Sequence, residues 1–335
     1  MDILNKNHNN KKKLILIWLW TLLSSVSFMV IIGGITRLTD SGLSMVEWRP
    51  IFGVLPPMND TEWHRVYDLY KSTPEYQFYN TGISLSEFKY IFFWEYFHRL
   101  WGRIIGLIFI IPFTFFIMKK ILKKREILNL IFIFALGLIQ GLIGWWMVES
   151  GLAKDPYVSQ YRLAIHLTNA FLIMFAILWL IMDFHEGKSL IKLDINFLVL
   201  IILSITIIAG SIVAGMDAGL MYNTYPFMNG KIFPDQYGEL GYLDAFENPG
   251  SAQFHHRHLG LLSFISLIFF YFKNFKTKVK IRLNFLLIIS FLQFLLGIFI
   301  LINYVPIAFA SLHQVGAMIL FLILTSIIHT QNIKN

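Results

Sequence analysis

Eight long apolar runs constrain this chain more than any other feature of its sequence. They occupy residues 14–32, 92–118, 127–148, 163–183, 196–216, 257–272, 283–302 and 306–328. A helix of about 20 apolar residues spans the hydrocarbon core of a bilayer, and in lipid a spanning segment must satisfy its own backbone polar groups. Hydrophobic residues make up 56% of the 335 residues, against about 45–50% in a soluble domain. The sequence therefore predicts an all-α integral membrane protein with eight transmembrane helices.

Basic residues cluster in alternate connections between these runs, and this pattern predicts the orientation. The clusters are Lys119, Lys120, Lys123, Lys124 and Arg125, then Lys188 and Lys192, then Lys273, Lys276, Lys278, Lys280 and Arg282. The connections on the opposite side are acidic or mixed. The positive-inside rule places the basic connections and both termini in the cytoplasm of a bacterial inner (plasma) membrane. It also accounts for the net charge of +8, so no nucleic-acid partner is needed to explain it.

An internal repeat divides the chain into two halves. The matched positions are Gly33 with Gly210, Asp40 with Asp217, His98-Arg99 with His256-Arg257, Gln140 with Gln293, Gly144 with Gly297, and His166 with His313. Each half holds four spans, so both halves enter the membrane in the same sense, as in transporters built from parallel repeats. We expect two pseudo-symmetric four-helix bundles, residues 1–183 and 196–335, joined by a cytoplasmic linker at 184–195.

Four histidines are the candidate ligands of two bis-histidine sites. His98 and His166 lie toward the periplasmic ends of the second and fourth spans, and His256 and His313 match them in the second half. A lone histidine at a helix end is more often a hydrogen-bonded interfacial residue, but four that are related by a repeat indicate function. The chain has no cysteine, which excludes disulfides, zinc–thiolate sites and cysteine-attached haem. Two imidazoles without a thiol or a second carboxylate suit haem better than zinc or copper.

Small and basic residues beside the histidines also suit a porphyrin. One turn after each histidine, on the same helical face, the chain has a residue with little or no side chain: Gly102, Ala170, Gly260 and Ala317. These positions would leave room for a broad planar ligand. Arg99, Arg103 and Arg257 could pair with its propionates, although snorkelling of arginine to the membrane surface explains their position as well.

Glu95 makes the two halves unequal. It lies three residues before His98, hence on the same helical face, and its repeat counterpart is Gln253. A carboxylate can exchange protons during a reaction and an amide cannot, so proton chemistry is expected in the first half. An inert glutamate at the water interface is the alternative. The amphipathic run 61–71, in the connection that precedes Glu95, is expected to form a helix that covers this site.

The sequence resembles the haem A synthases over essentially its whole length. The resemblance rests on the run Gly33-Gly-Ile-Thr-Arg-Leu-Thr-x-Ser-Gly-Leu-Ser44, on Glu95-x-x-His98-Arg99-x-x-Gly102-Arg103, on Gln140-Gly141-x-x-Gly144, on His166-Leu-x-x-Ala170, and on His256-Arg257 and His313-Gln314. It implies a membrane oxidoreductase that converts the C8 methyl group of haem O to a formyl group by two successive oxidations, giving haem A for terminal oxidases.

The resemblance also implies roles for individual residues. His98 and His166 would hold the substrate haem, His256 and His313 would ligate the iron of a resident haem b, and Glu95 with His98 would serve the chemistry. The implied partners are a haem O synthase (a farnesyltransferase), an electron donor or acceptor and the lipid bilayer, and a homo-oligomer is left open. Some members carry a cysteine pair in the first outer loop; its absence here is typical of the proteobacterial and mitochondrial branch.

Two other classes of protein share parts of this pattern. A bis-histidine membrane cytochrome b that only relays electrons would show the same four histidines, but it would not need Glu95 or bind a farnesylated haem. A parallel-repeat transporter would show the two halves, but it would carry broken helices and polar groups at the midplane. Here the polar residues cluster at the outer ends of the spans, which favours the enzyme.

Overall fold

A computed structural model describes residues 2–47, 54–153, 156 and 158–333. Within these residues the chain is helical and forms no extended strand. The helices are α1 (Asp2–Leu38), α2 (Asp60–Lys71), α3 (Pro74–Phe78), α4 (Leu85–Met118), α5 (Lys124–Ala153), α6 (Gln160–His185), α7 (Ile195–Gly215), α8 (Asp244–Glu247), α9 (Pro249–Asn274), α10 (Lys280–Ile302) and α11 (Ile307–Gln331).

Seven of the described helices are long and apolar enough to cross a membrane, namely α1, α4, α5, α6, α7, α10 and α11. This confirms the expectation of an all-helical integral membrane protein. The predicted span 257–272 lies inside α9, which is not among the seven. The first half of α9 carries three histidines and Arg257, and these polar residues lower its mean hydropathy. The eighth span therefore stays a prediction.

The second spanning helix, α4, begins well before the apolar run that predicts it. Ser84 accepts a hydrogen bond from the backbone N–H of Glu87, and the Glu87 carboxylate accepts one from the backbone of Ser84. This capping box fixes the start of the helix at Leu85. At 1.5 Å per residue, His98 lies about 20 Å from that start. His98 therefore lies deeper in α4 than its place near the start of the apolar run suggests, since three further turns of helix precede it.

The two helices that end the two halves, α6 and α11, lie at the centre of the molecule. They pack against each other, and each also packs against both α1 and α7. Met174, Ile177 and Ile181 of α6 and Leu324 and Ile327 of α11 are fully buried. On the periphery α1 packs on α4 and α5 packs on α6, while α7 packs on α9 and α10 packs on α11.

Polar contacts join the halves at both ends of this centre. Near the end of α1, the Arg37 guanidinium contacts Asp40 and Asp217 at 2.8 Å each and donates to the carbonyl of Ala214 at 2.8 Å. At the opposite end, Nε2 of the fully buried His329 lies 2.9 Å from Asp183. The first contact links α1 to α7, and the second links α6 to α11.

Candidate functional site

Each histidine of the first pair lies against a glycine on a neighbouring helix. A Cβ added at Gly33 of α1 would lie 3.3 Å from Nε2 of His98 on α4. A Cβ added at Gly144 of α5 would lie 3.4 Å from Cε1 of His166 on α6. Both imidazoles therefore occupy space that the missing side chains leave free.

The second pair has the same arrangement with tighter contacts. A Cβ at Gly210 of α7 would come within 2.9 Å of Cε1 of His256 on α9, and one at Gly297 of α10 within 3.0 Å of Cε1 of His313 on α11. Real Cβ atoms essentially never approach as closely as the first of these contacts, and the second is tighter than nine in ten real Cβ contacts. The repeat thus matches the four glycines as well as the four histidines.

The small residues predicted to flank the histidines have other surroundings. A Cβ at Gly102 would meet Met29 at 3.4 Å, whereas one at Gly260 would meet nothing within 4 Å. Ala170 is buried in the core. The glycines that face the imidazoles stand on neighbouring helices, and spacing along a single helix could not identify them. Their signal in the sequence was their recurrence at matched positions of the repeat.

One hydrogen bond orients His256, and two others fix the helices that carry His166 and His313. Nδ1 of His256 lies 3.2 Å from the carbonyl of Thr206, and as the donor in that bond it leaves Nε2 for a ligand. The side-chain amides of Gln140 and Gln293 donate to the backbone carbonyls of His166 and His313 at 3.1 and 2.7 Å. These glutamines hold α5 on α6 and α10 on α11 at matched positions.

The chemistry of this donor set fits two haems. Nδ1 of His166 and Nδ1 of His313 are buried and have no hydrogen-bond partner among the described residues. The described residues also hold no group of three or more histidines, cysteines or acids that could bind a metal ion. A porphyrin supplies four of the iron ligands itself, so an imidazole pair is enough to complete the coordination.

Arg99 and Arg257 each hold the connection that follows the first helix of their half. Nη2 of Arg99 donates to the carbonyl of Met45 at 3.0 Å and Nη1 to that of Glu47 at 3.3 Å. Arg257 makes the matching bonds to Tyr222 at 2.6 Å and Thr224 at 2.9 Å. These guanidinium groups are therefore engaged with loop backbone and do not snorkel to the surface. A role in binding propionates stays a prediction, as it does for Arg103 one turn further along α4.

Glu95 is buried and accepts hydrogen bonds from three groups. Its Oε1 lies 2.5 Å from Nη2 of Arg99, and its Oε2 accepts from Oγ of Ser44 and the backbone N–H of Met45 at 2.7 Å each. Glu95 is thus held in one orientation and also anchors the α1–α4 connection, a role that its position in the sequence did not reveal.

Gln253 occupies the matching position in the second half, but its side chain donates hydrogen bonds to the loop, whereas Glu95 accepts them. The side-chain amide of Gln253 donates to the carbonyls of Gly219 and Tyr222 at 3.2 and 3.1 Å, and its oxygen accepts from Arg257 at 3.2 Å. The loop of the first half presents donors to residue 95, whereas the loop of the second half presents acceptors to residue 253. The difference between a carboxylate and an amide therefore has a local structural reason in addition to any chemical one.

The amphipathic run 61–71 forms a helix as expected, α2 (Asp60–Lys71). Its buried tyrosines Tyr67 and Tyr70 pack on Phe88 and Phe92 in the first turns of α4. The α2 helix therefore covers the part of α4 that extends beyond the predicted span. His255 and His258 belong to neither pair: His255 faces Tyr237, and Nδ1 of His258 lies 2.8 Å from the carbonyl of Phe254.

The close glycine contacts predict how the second pair responds to a methyl group. Gly210→Ala would force His256 away from Thr206, because overpacking costs about 1–3 kcal/mol and exceeds the roughly 0.5–1 kcal/mol gained by replacing a helical glycine. We expect a lower melting temperature of the purified protein. Gly137→Ala on α5, where a Cβ meets nothing within 4 Å, is the matched control and should not lower it. Equal melting temperatures for the two variants would contradict the contact.

The fold and the site define a multi-pass membrane protein with four half-buried histidines, each lying against a glycine of a neighbouring helix. Residues 16–325 match the model of the cytochrome oxidase assembly protein family, and the chain belongs to that family. It is 44% identical over 323 residues to the Heme A synthase of Pelagibacter ubique, which covers 93% of this chain and 95% of the relative. It is 42% identical over 324 residues to the Heme A synthase of Nitrosospira multiformis, with 92% and 91% covered.

Proposed function

We infer that the chain is a haem A synthase, an oxidoreductase that converts haem O to haem A. The observation that carries this inference is the similarity to Heme A synthases at 42–44% identity along nearly the full length of both chains. The two pairs of half-buried histidines give the inference a structural basis, since both the substrate and the product are iron porphyrins.

The two halves of the chain bind different haems. The first half, residues 1–183, binds haem O between His98 and His166, and the second half, residues 196–335, binds haem b between His256 and His313. The matched contacts of the two halves support eight spans in two repeated bundles: both arginines hold loop carbonyls and all four imidazoles lie against glycines. The carboxylate of Glu95 is present only in the first half, so the chemistry belongs there.

The residues of the first half hold the substrate and manage protons. Bound haem supplies the redox chemistry that no protein side chain can provide. Arg99 fixes both the Glu95 carboxylate and the α1–α4 connection, which keeps the carboxylate in one orientation one turn from His98. In that position Glu95 takes up and returns protons during the two successive oxidations of the methyl group.

The experiment that tests this function is conversion in cells. The chain is produced together with a haem O synthase in a bacterium that makes no haem A, and the extracted haems are separated by chromatography. We expect haem A to appear only when both proteins are present. Accumulation of haem O without haem A, in cells that contain the folded membrane protein, would contradict the inference. The same cells can be used to test whether the chain acts together with a haem O synthase and with an electron carrier.

The basic connections orient the protein with its histidine pairs toward the periplasm. We expect a reporter fused after Lys124 to be active in the cytoplasm and one inserted near Asn59 to be active in the periplasm, because positive loops stay inside. Paired alkaline phosphatase and fluorescent protein fusions at both positions measure this. The reverse pattern would move the sites to the cytoplasmic face.

A further inference from the structure

The second half reaches into the first half through the side chain of Gln314 on α11. Its amide Nε2 donates to the backbone carbonyl of Val30 on α1 at 2.9 Å. Val30 is buried, and α1 packs on α11. A glutamine side chain that bonds across two spanning helices fixes them to each other, because the hydrocarbon around them offers its amide no other partner. Gln314 therefore holds α11 on α1 at this level.

Glycine at position 34 makes this bond possible. A Cβ added at Gly34 would overlap the amide oxygen of Gln314 and would lie 2.8 Å from its Cδ. The amide therefore occupies the space on α1 that a side chain would fill. The preceding residue, Gly33, has the same function for His98, whose Nε2 would lie 3.3 Å from an added Cβ. Two adjacent glycines of α1 thus receive side chains from two different helices, α11 and α4.

These contacts connect the two histidine pairs. Gln314 directly follows His313 of the second pair, and Gly34 directly follows Gly33, which faces His98 of the first pair. Residues that are adjacent in a helix move together, because the helix backbone is stiff. A shift of α11 relative to α1 would therefore move the surface against which the His98 imidazole lies.

The repeat does not reproduce this contact in the other direction. The residues matched to Gln314 and Gly34 are Leu167 on α6 and Ser211 on α7, and these two helices also pack on each other. A leucine side chain has no donor, and the hydroxyl of Ser211 donates within its own helix, to the carbonyl of Ile208 at 2.6 Å. At this matched pair of positions the bond therefore runs from the second half to the first only.

A second glutamine–glycine contact stays inside the second half. Gln293 on α10 donates to the carbonyl of His313 at 2.7 Å. A Cβ added at Gly316 of α11 would overlap the amide oxygen of Gln293 and lie 3.0 Å from its Cδ. This contact is built like that of Gln314 with Gly34, but it holds α10 on α11 and joins no residue of the first half. It therefore provides a matched comparison.

We propose that Gln314 is a positioning residue for the first haem site, although it belongs to the second half. It holds α1 where Gly33 receives His98, so the helix that carries His313 also aligns an imidazole of the other pair. The proposal rests on the proposed function, which assigns the first pair to haem O and the second pair to haem b. Loss of the Gln314 amide should weaken the first site and leave the second site intact.

Gln314→Leu tests this proposal, because leucine is the residue at the matched position of α6 and cannot donate to Val30. In the purified full-length protein that holds haem b, we expect the affinity for added haem O to fall about 5-fold or more, the lower end of ordinary coupling between two sites. The absorption spectrum and the reduction potential of the first-site haem should change as well. The content, spectrum and potential of haem b should match those of the wild type.

Gly34→Ala should reproduce this effect, because its methyl group takes the space of the Gln314 amide. In a Gln314→Ala background Gly34→Ala should add little, since the contact is already lost. Additive effects of these two substitutions on haem O affinity would contradict the contact. Gly316→Ala is the matched control: it displaces Gln293 and should alter the haem b spectrum more than the affinity for haem O.

The outcomes separate this proposal from the function on which it rests. Spectra of His98→Ala and His256→Ala assign the signals of the two sites. If the wild type makes no haem A, the proposed function fails, while the first-site haem signal still reports on Gln314. If Gln314→Leu changes the haem b signal as strongly as the first-site signal, Gln314 serves its neighbour His313 or the packing of the bundle, and the proposal is wrong. Unchanged haem O affinity and an unchanged first-site spectrum would also overturn it.

Discussion

Replacing Glu95 with glutamine is expected to lower haem A formation by about 10²–10⁴-fold, the usual contribution of a well-placed general acid or base. The substitution is nearly isosteric and gives the first half the residue found at the matched position of the second, Gln253. Haem b content should therefore be retained, and the alcohol intermediate should accumulate. Chromatography of haems from cells that supply haem O measures all three quantities.

Ser44→Ala is the control for the anchoring role of Glu95. It removes one of the hydrogen bonds between Glu95 and the α1–α4 connection but keeps the carboxylate. If Glu95 acts only by holding the loop, Ser44→Ala and Glu95→Gln should have comparable and modest effects. If Glu95 moves protons, Ser44→Ala should retain most of the activity. Wild-type amounts of haem A from the Glu95→Gln variant would show that Glu95 has only a structural role.

Replacing either histidine of the second pair, His256→Ala or His313→Ala, is expected to abolish the low-spin haem b spectrum and all haem A formation. One imidazole cannot complete a bis-histidine coordination, and a cofactor that binds only the folded state stabilises it by mass action. The melting temperature should therefore fall as well. Absorption spectroscopy and thermal unfolding of the purified variants measure both effects.

His258→Ala is the matched control, because His258 lies on the same helix as His256 but bonds to the carbonyl of Phe254. It should keep a full complement of haem b. Retention of haem b by both His256→Ala and His313→Ala would mean that the resident haem is bound elsewhere.

The sequence predicts the spanning helices because the length of an apolar run can be read from that segment alone. It misplaces the start of α4, since the capping box at Ser84 lies outside the apolar run. Periodicity also places Glu95 on the same helical face as His98. It cannot show that Ser44 and Met45 donate to that carboxylate, because the contact depends on how the α1–α4 connection folds back.

Patterns along the chain cannot predict contacts between helices that are distant in the sequence. The four glycines that face the imidazoles recur in the repeat, so their importance is visible, but their partners are not. Asp217 also recurs in the repeat, but nothing in the sequence joins it to Arg37, and the buried pair of His329 with Asp183 has no signal in the sequence. Each joins residues of different halves, and only the packing of α1 on α11 and of α6 on α7 and α11 brings them together.

The most direct test of the central claim is the pigment of the purified protein from cells that supply haem O. A haem A synthase with a substrate site and a resident cofactor should yield haem b together with haem O or haem A when the extracted haems are separated. Haem b alone, in an amount that fills both sites, would identify a bis-histidine cytochrome that only relays electrons and would contradict the account.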